Sequence, residues 1–169
     1  MTVLEIVKYP EKILSQPTQP IENIDDTVQN LIDNMAKTMY EAPGVGLAAI
    51  QVGINKSLTV YDISPKDEKR SLQVLINPRI VSREGSIISE DEGCLSVPDF
   101  RSDVKRAAAI VVEGLDRNGK PLRIDAEGFL AIVLQHEIDH LNGILFIDRI
   151  SALKRGIYKR KVMKNLKKI

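Results

Sequence analysis

At 169 residues the chain is long enough for one domain with a substantial core, and its 43% apolar and 28% charged residues exclude a disordered or fibrous protein. The formal net charge of +1 is unevenly spread: Ser151 to Ile169 hold eight Lys or Arg and no acid, which leaves sixteen basic against twenty-three acidic residues, a net of −7, in residues 1–150. The longest apolar runs, AAAIVV and FLAIVL, are six residues, far below the roughly 18 of a membrane span.

The N-terminus, MTVLEIVKYPEKIL, carries Glu5 and Glu11 and no continuous hydrophobic stretch, so it does not resemble a secretory signal. Residues 26–42 begin with acids and place Val28, Leu31, Ile32, Met35 and Met39 on one face, which predicts a helix stopped by Pro43 and Gly44. GVGLAAIQVG follows, a small-residue segment that lets backbone approach a ligand closely. SLTVYDI and LQVLINP read as strands around the polar turn SPKDEKR. AAAIVVEGLD and KPLRIDAEG flank Arg117, Asn118 and Gly119, a hairpin signal that makes the sheet antiparallel. GFLAIVLQHEIDHL, residues 128–141, is apolar nearly all round and predicts a helix buried in the middle of the domain. In the basic tail, Leu153, Ile157, Val162, Leu166 and Ile169 recur at roughly helical spacing. That pattern predicts a C-terminal helix docked by this stripe, its cationic outer face available to RNA or anionic lipid. The expected fold class is α+β: antiparallel sheets packed around a central helix, in a single domain spanning residues 1–169 with 151–169 as its basic helix.

The central helix carries the chemistry. Both histidines of the chain, His136 and His140, lie four apart with Glu137 between them, forming HExxH. At that spacing two imidazoles share one helical face and reach a common metal ion. Stepping back from His136 by three, four and seven residues reaches Val133, Ile132 and Phe129, an apolar wall beside the metal. The third ligand distinguishes among enzyme classes. HEIDHLNGILF has Gly143 in register with one protease motif, but Phe146 stands where its third histidine belongs. Downstream of His140 only Asp148 is acidic, at a poor spacing. The candidate is therefore upstream: Cys94, the one cysteine, in EGCLSVP. A lone cysteine is more often a small buried hydrophobe, yet one thiolate with two imidazoles leaves a fourth position open for catalysis. It also favours a reducing cytoplasm.

GVGLAAIQVG, EGCLSVP and QHEIDHLNG, in this order, resemble the three signature segments of bacterial peptide deformylase, and the resemblance covers essentially the whole chain. It implies a metal-dependent hydrolase that removes the formyl group from N-formylmethionine at the start of nascent peptides and releases formate. Cys94, His136 and His140 would be ligands, Glu137 the catalytic acid and base, and Gln51 with the Leu95 N–H the oxyanion donors. Val45, Gly46 and Arg101 would contact substrate, beside the wall of Phe129, Ile132 and Val133. The resemblance further implies ferrous iron, with zinc or nickel in purified material, a Glu92–Arg106 ion pair beneath the site, and a basic helix that meets the ribosome; a monomer is expected. Ile50 departs from the proline that many members carry before the glutamine. The competing readings are an HExxH zinc endopeptidase, and a ribosome- or RNA-binding module with a structural metal.

Overall fold

The computed structural model describes residues 1–168, which form a five-stranded antiparallel sheet, a separate two-stranded sheet and three α-helices. The first helix, α1 (Asp26–Glu41), starts where Asp25 accepts the Val28 N–H at 3.1 Å. Such a cap contributes about 1 kcal/mol because it satisfies an otherwise unpaired helix-end donor. The large sheet runs β1 (Gly46–Ala48), β2 (Leu58–Tyr61), β3 (Gln73–Glu84), β6 (Ala109–Leu115) and β7 (Pro121–Glu127) in spatial order. Strand alternation sends Leu47, Leu58, Val60, Val74 and Ile76 to one face, against Ile32, Met35 and Met39 of α1. Tyr61, Leu75, Ile110 and Val112 point to the other face, against Ala131, Leu134 and Ile138 of α2 (Gly128–Leu141). β2 is buried at every position because each of its faces is covered by a helix.

The expected hairpin is present as β6–β7, with Leu115 opposite Pro121. Its loop turns at Gly119 (φ 83°), and Asp116 and Lys120 close it through a 2.9 Å backbone bond. LQVLINP was expected to end near Pro78, whereas β3 continues to Glu84 past a register shift at Asn77 (φ 52°). There the Asn77 amide bonds the N–H and C=O of Ile21 at 2.8 and 2.9 Å, which ties the N-terminal segment to the sheet.

The two-stranded sheet, β4 (Ile87–Cys94) and β5 (Val97–Arg106), was not foreseen. Its buried positions are Ser89, Glu92, Val97, Ser102, Val104 and Arg106. With four of these six polar, hydrophobic alternation is masked.

The C-terminal helix α3 (Ala152–Leu166) exists, but it is not docked by the expected stripe. Leu153 and Ile157 are 72% and 53% exposed, Leu166 is also exposed, and Ile169 lies outside the described residues. Tyr158 is its one buried side chain among those described, with Val162 packed beside it. The reason is the surface it meets. Tyr9 and Phe100 offer aromatic rings 5.7 and 4.8 Å from the Tyr158 ring, and this cluster selects an aromatic anchor rather than the aliphatic residues. Tyr158→Ala is expected to lower unfolding free energy by about 3 kcal/mol, with Leu153→Ala and Ile157→Ala within about 0.5 kcal/mol of wild type. Urea denaturation of the three variants checks this.

Candidate metal centre

One helical turn of α2 separates His136 from His140, and their Nε2 atoms stand 3.3 Å apart. The Cys94 Sγ, at the end of β4, lies 3.3 Å from His140 Nε2, and the three donor atoms all fall within 4.8 Å of one another. A tetrahedral ion with bonds of about 2.0 to 2.1 Å separates its nitrogen ligands by roughly 3.3 Å, so the spacing fits a metal. The two imidazoles sit in different electrostatic surroundings. Burial opposes charge on both rings, but Cys94 and Glu92 outweigh it and raise the pKa of His136. Burial and the neighbouring His136 charge lower that of His140. Cys94, His136 and His140 are the metal-binding group of the protein.

Behind His136 the environment is built from charge. Its Nδ1 lies 2.6 Å from Glu92 Oε1, an arrangement that leaves Nε2 free to bind metal. Burial alone would raise the Glu92 pKa, yet hydrogen bonds from Arg106 and His136 bring it down to about 2. Arg106 grips Glu92 with Nε at 2.9 Å and with its NH2 group, and its NH1 reaches Asp139 at 3.1 Å. The Glu92–Arg106 pair was expected; Asp139 was not. It stands within HEIDH itself, one residue before His140. Phe146, at the place of a third histidine, stacks on the His136 ring at 6.3 Å. Gly143 makes that return possible: its φ is +75°, and a Cβ there would fall 2.6 Å from the Ser15 carbonyl oxygen.

A cleft of about 790 Å³ opens over the cluster. Cys94, His136 and Glu137 form its floor, while His140 is buried behind them. Phe129, Ile132 and Val133 line one wall, as the helical spacing predicted, with Phe129 exposed at the mouth. Val45 and Gly46 line the opposite edge, and Gly46 must be glycine: a Cβ would approach Glu137 Oε1 to 2.5 Å. Arg101 stands at the rim, its NH1 donating to the Asp91 carbonyl at 3.1 Å. Leu95 lines the cleft from the turn between β4 and β5.

Gln51 is held at both ends of its amide. Its Oε1 accepts the Ala48 N–H at 2.9 Å, and its Nε2 donates to Ser96 Oγ at 3.1 Å and points at Cys94 Sγ at 3.6 Å. Ser96, wholly buried, went unnoticed in the sequence except as a neighbour of the cysteine. Ile50 is fully buried against Ala48 and Leu141, so this departure from proline fills core space. Glu137 is buried beside Thr59 Oγ1 at 3.5 Å, and burial raises its pKa to about 7.

Fold and site together define a metallohydrolase with a Cys-His-His ligand set and an adjacent buried carboxyl group. Residues 3–156 match the polypeptide deformylase family. The chain is 59% identical to the peptide deformylase of Desulfosudis oleivorans over 167 residues, covering 99% of this chain and 96% of that one. It is 55% identical to that of Thermodesulfovibrio yellowstonii over 161 residues, covering 95% and 97%. The crystal structure of a peptide deformylase from Legionella pneumophila superposes with a TM-score of 0.90 at 45% identity, covering 98% and 96%. The chain belongs to the polypeptide deformylase family, enzymes that remove the N-formyl group from nascent peptides.

The raised pKa of Glu137 has a measurable sign. Because the folded state holds its proton up to about pH 7 and the unfolded state only to about 4.5, the protonated carboxyl favours folding below pH 4.5, and this advantage is lost as pH rises to 7. In metal-free protein at pH 8, Glu137→Gln is expected to be about 3 kcal/mol more stable than wild type, with the gap closing by pH 4.5. Denaturant titration across that range measures it.

Proposed function

We propose that hydrolysis of the formyl amide is carried out by Glu137 as proton carrier, with Gln51 and the Leu95 N–H as donors to the developing oxyanion. The observation that carries this reading is the Glu137 carboxyl group, buried on the cleft floor beside the Cys-His-His cluster, with its pKa raised to about 7. A group of that affinity accepts a proton from water and returns it to a leaving amine near neutral pH. Cys94, His136 and His140 would hold a metal, which would supply Lewis acidity for activating water near the formyl group. The Gln51 amide, locked by Ala48 and Ser96, turns its nitrogen to the cluster and costs no reorganisation when negative charge develops.

Phe129, Ile132 and Val133 with Val45 suit the unbranched methionine side chain, Gly46 at the cleft edge contacts the peptide, and Arg101 at the rim orients the following residues. A thiolate and two imidazoles accommodate zinc, iron, nickel and cobalt alike; the family resemblance favours ferrous iron, with zinc or nickel acquired during purification. Such a centre loses activity in air as iron or Cys94 oxidises, which suits a reducing cytoplasm. No helix among the described residues is long and apolar enough to cross a membrane. The chain acts as one domain over residues 1–169, as a monomer. The lysines and arginines of α3 face outward almost throughout, and this cationic face brings the enzyme to the ribosome, where formylated chains emerge.

Formate release from a formyl-Met peptide, under anaerobic conditions with ferrous iron, tests the chemistry. Glu137→Ala should abolish turnover, and Gln51→Ala should lower it by about 10²- to 10³-fold; an unimpaired Glu137→Ala would overturn the assignment. For the partner, replacing Lys161, Lys164 and Lys168 with Glu retains the Tyr158 anchor. It should abolish salt-dependent ribosome co-sedimentation while leaving peptide hydrolysis intact.

A further inference from the structure

The buried charges behind His136 do not stop at Arg106. Asp139 receives NH1 of Arg106 at 3.1 Å, and on its far side Arg149 forks onto the same carboxylate, Nε to Oδ2 at 2.5 Å and NH2 to Oδ1 at 2.7 Å. The order is His136, Glu92, Arg106, Asp139, Arg149, and the interior members are nearly inaccessible: Arg106, Glu92 and Asp139 side chains are 2%, 6% and 8% exposed. Arg149, 37% exposed, is where the chain of contacts reaches the surface.

We propose that Arg149 is a positioning residue for the metal ligand His136, acting through Asp139, Arg106 and Glu92. Each contact fixes the next. The Arg149 fork sets the plane of the Asp139 carboxylate. Asp139 takes the one guanidinium nitrogen of Arg106 that Glu92 leaves free, and Arg106 in turn clamps both Glu92 oxygens. Glu92 Oε1 then holds the Nδ1 edge of the imidazole, which turns Nε2 toward that of His140. Arg149 is itself preset, because it ends the 3-10 turn Phe146–Arg149, whose first residue is wholly buried and stacked on the His136 ring. The turn therefore reaches the ligand by two routes, ring stacking and the charge relay. An exposed Arg–Asp pair would contribute little by itself; this one closes a buried network, in which a missing partner leaves the next charge free to shift.

The inference rests on His136 being a metal ligand, and cobalt(II)-loaded protein tests the two separately. Release of cobalt to a chelator is timed, and the thiolate-to-cobalt absorption band is recorded, for wild type, Arg149→Met, Asp139→Asn and the double variant. Removing partners of metal-binding histidines typically weakens metal affinity ~10- to 100-fold, so a more distant residue should speed release by roughly threefold or more. The band should shift in Arg149→Met, with KM for a formyl-Met peptide unchanged. The double variant should release cobalt no faster than Asp139→Asn, because both act along one line. Wild-type release and an unshifted band in Arg149→Met, even with a lowered Tm, would overturn the relay, as would effects that multiply in the double variant. A wild-type protein with no thiolate-to-cobalt band would overturn the metal site and the relay together.

Discussion

A carboxylate buried beneath a metal site must be answered by positive charge, and the pairing of Glu92 with Arg106 and His136 is the constraint from which much of this structure follows. Moving one such ion out of water costs several kcal/mol unless partners and hydrogen bonds surround it. Glu92 has both, which is why its pKa falls to about 2 despite burial. Satisfying Arg106 then requires Asp139, and Asp139 lies one residue before His140 on the same helix. The register of α2 is thereby bound to that of β4 and β5: a slip of one residue would strand a buried ion on one side or the other. The ligand geometry is held by this electrostatic lock as much as by packing.

The floor of the cleft is shaped by what is left out. Gly46 lies where β1 passes over α2, and the missing side chain is the space into which Glu137 folds. Gln51 enters through the 3-10 turn Ala49–Val52, whose backbone and side chain are tied within the same few residues. The small-residue segment and the HExxH helix are complementary surfaces. One supplies room and hydrogen-bond donors, and the other supplies the proton carrier and two ligands.

Where hydrophobic periodicity was strong, sequence and structure agree. The amphipathic face of α1 and the apolar run of α2 are read from spacing, the β6–β7 hairpin from its Asn-Gly turn, and the two histidines from HExxH. Cys94 emerged only because Phe146 excluded a third histidine, and because its segment resembled a known family. The β4–β5 hairpin was illegible, since Ser89, Glu92, Ser102 and Arg106 occupy positions that a sequence reading expects to be aliphatic. These residues are buried for charge and hydrogen bonding, a pattern with no period to detect. Asp139 and Arg149 were missed for the same reason. The tail misled in the opposite direction, because an aliphatic stripe was visible whereas the aromatic surface awaiting Tyr158 depends on Tyr9 and Phe100, remote in sequence.

The three ligands come from two different structural units, a strand and a helix. Cys94 closes the two-stranded β4–β5 ribbon, while His136 and His140 ride on the helix packed against the five-stranded sheet. A bound ion is therefore a cross-link as well as a reagent, riveting the tip of one structural unit to the middle of the other. Its binding energy adds to the stability of the native state in the way any ligand specific to that state does. Losing the ion removes a mechanical joint from the cleft, leaving the ribbon and the helix to be held by the buried charges and by packing around Phe146.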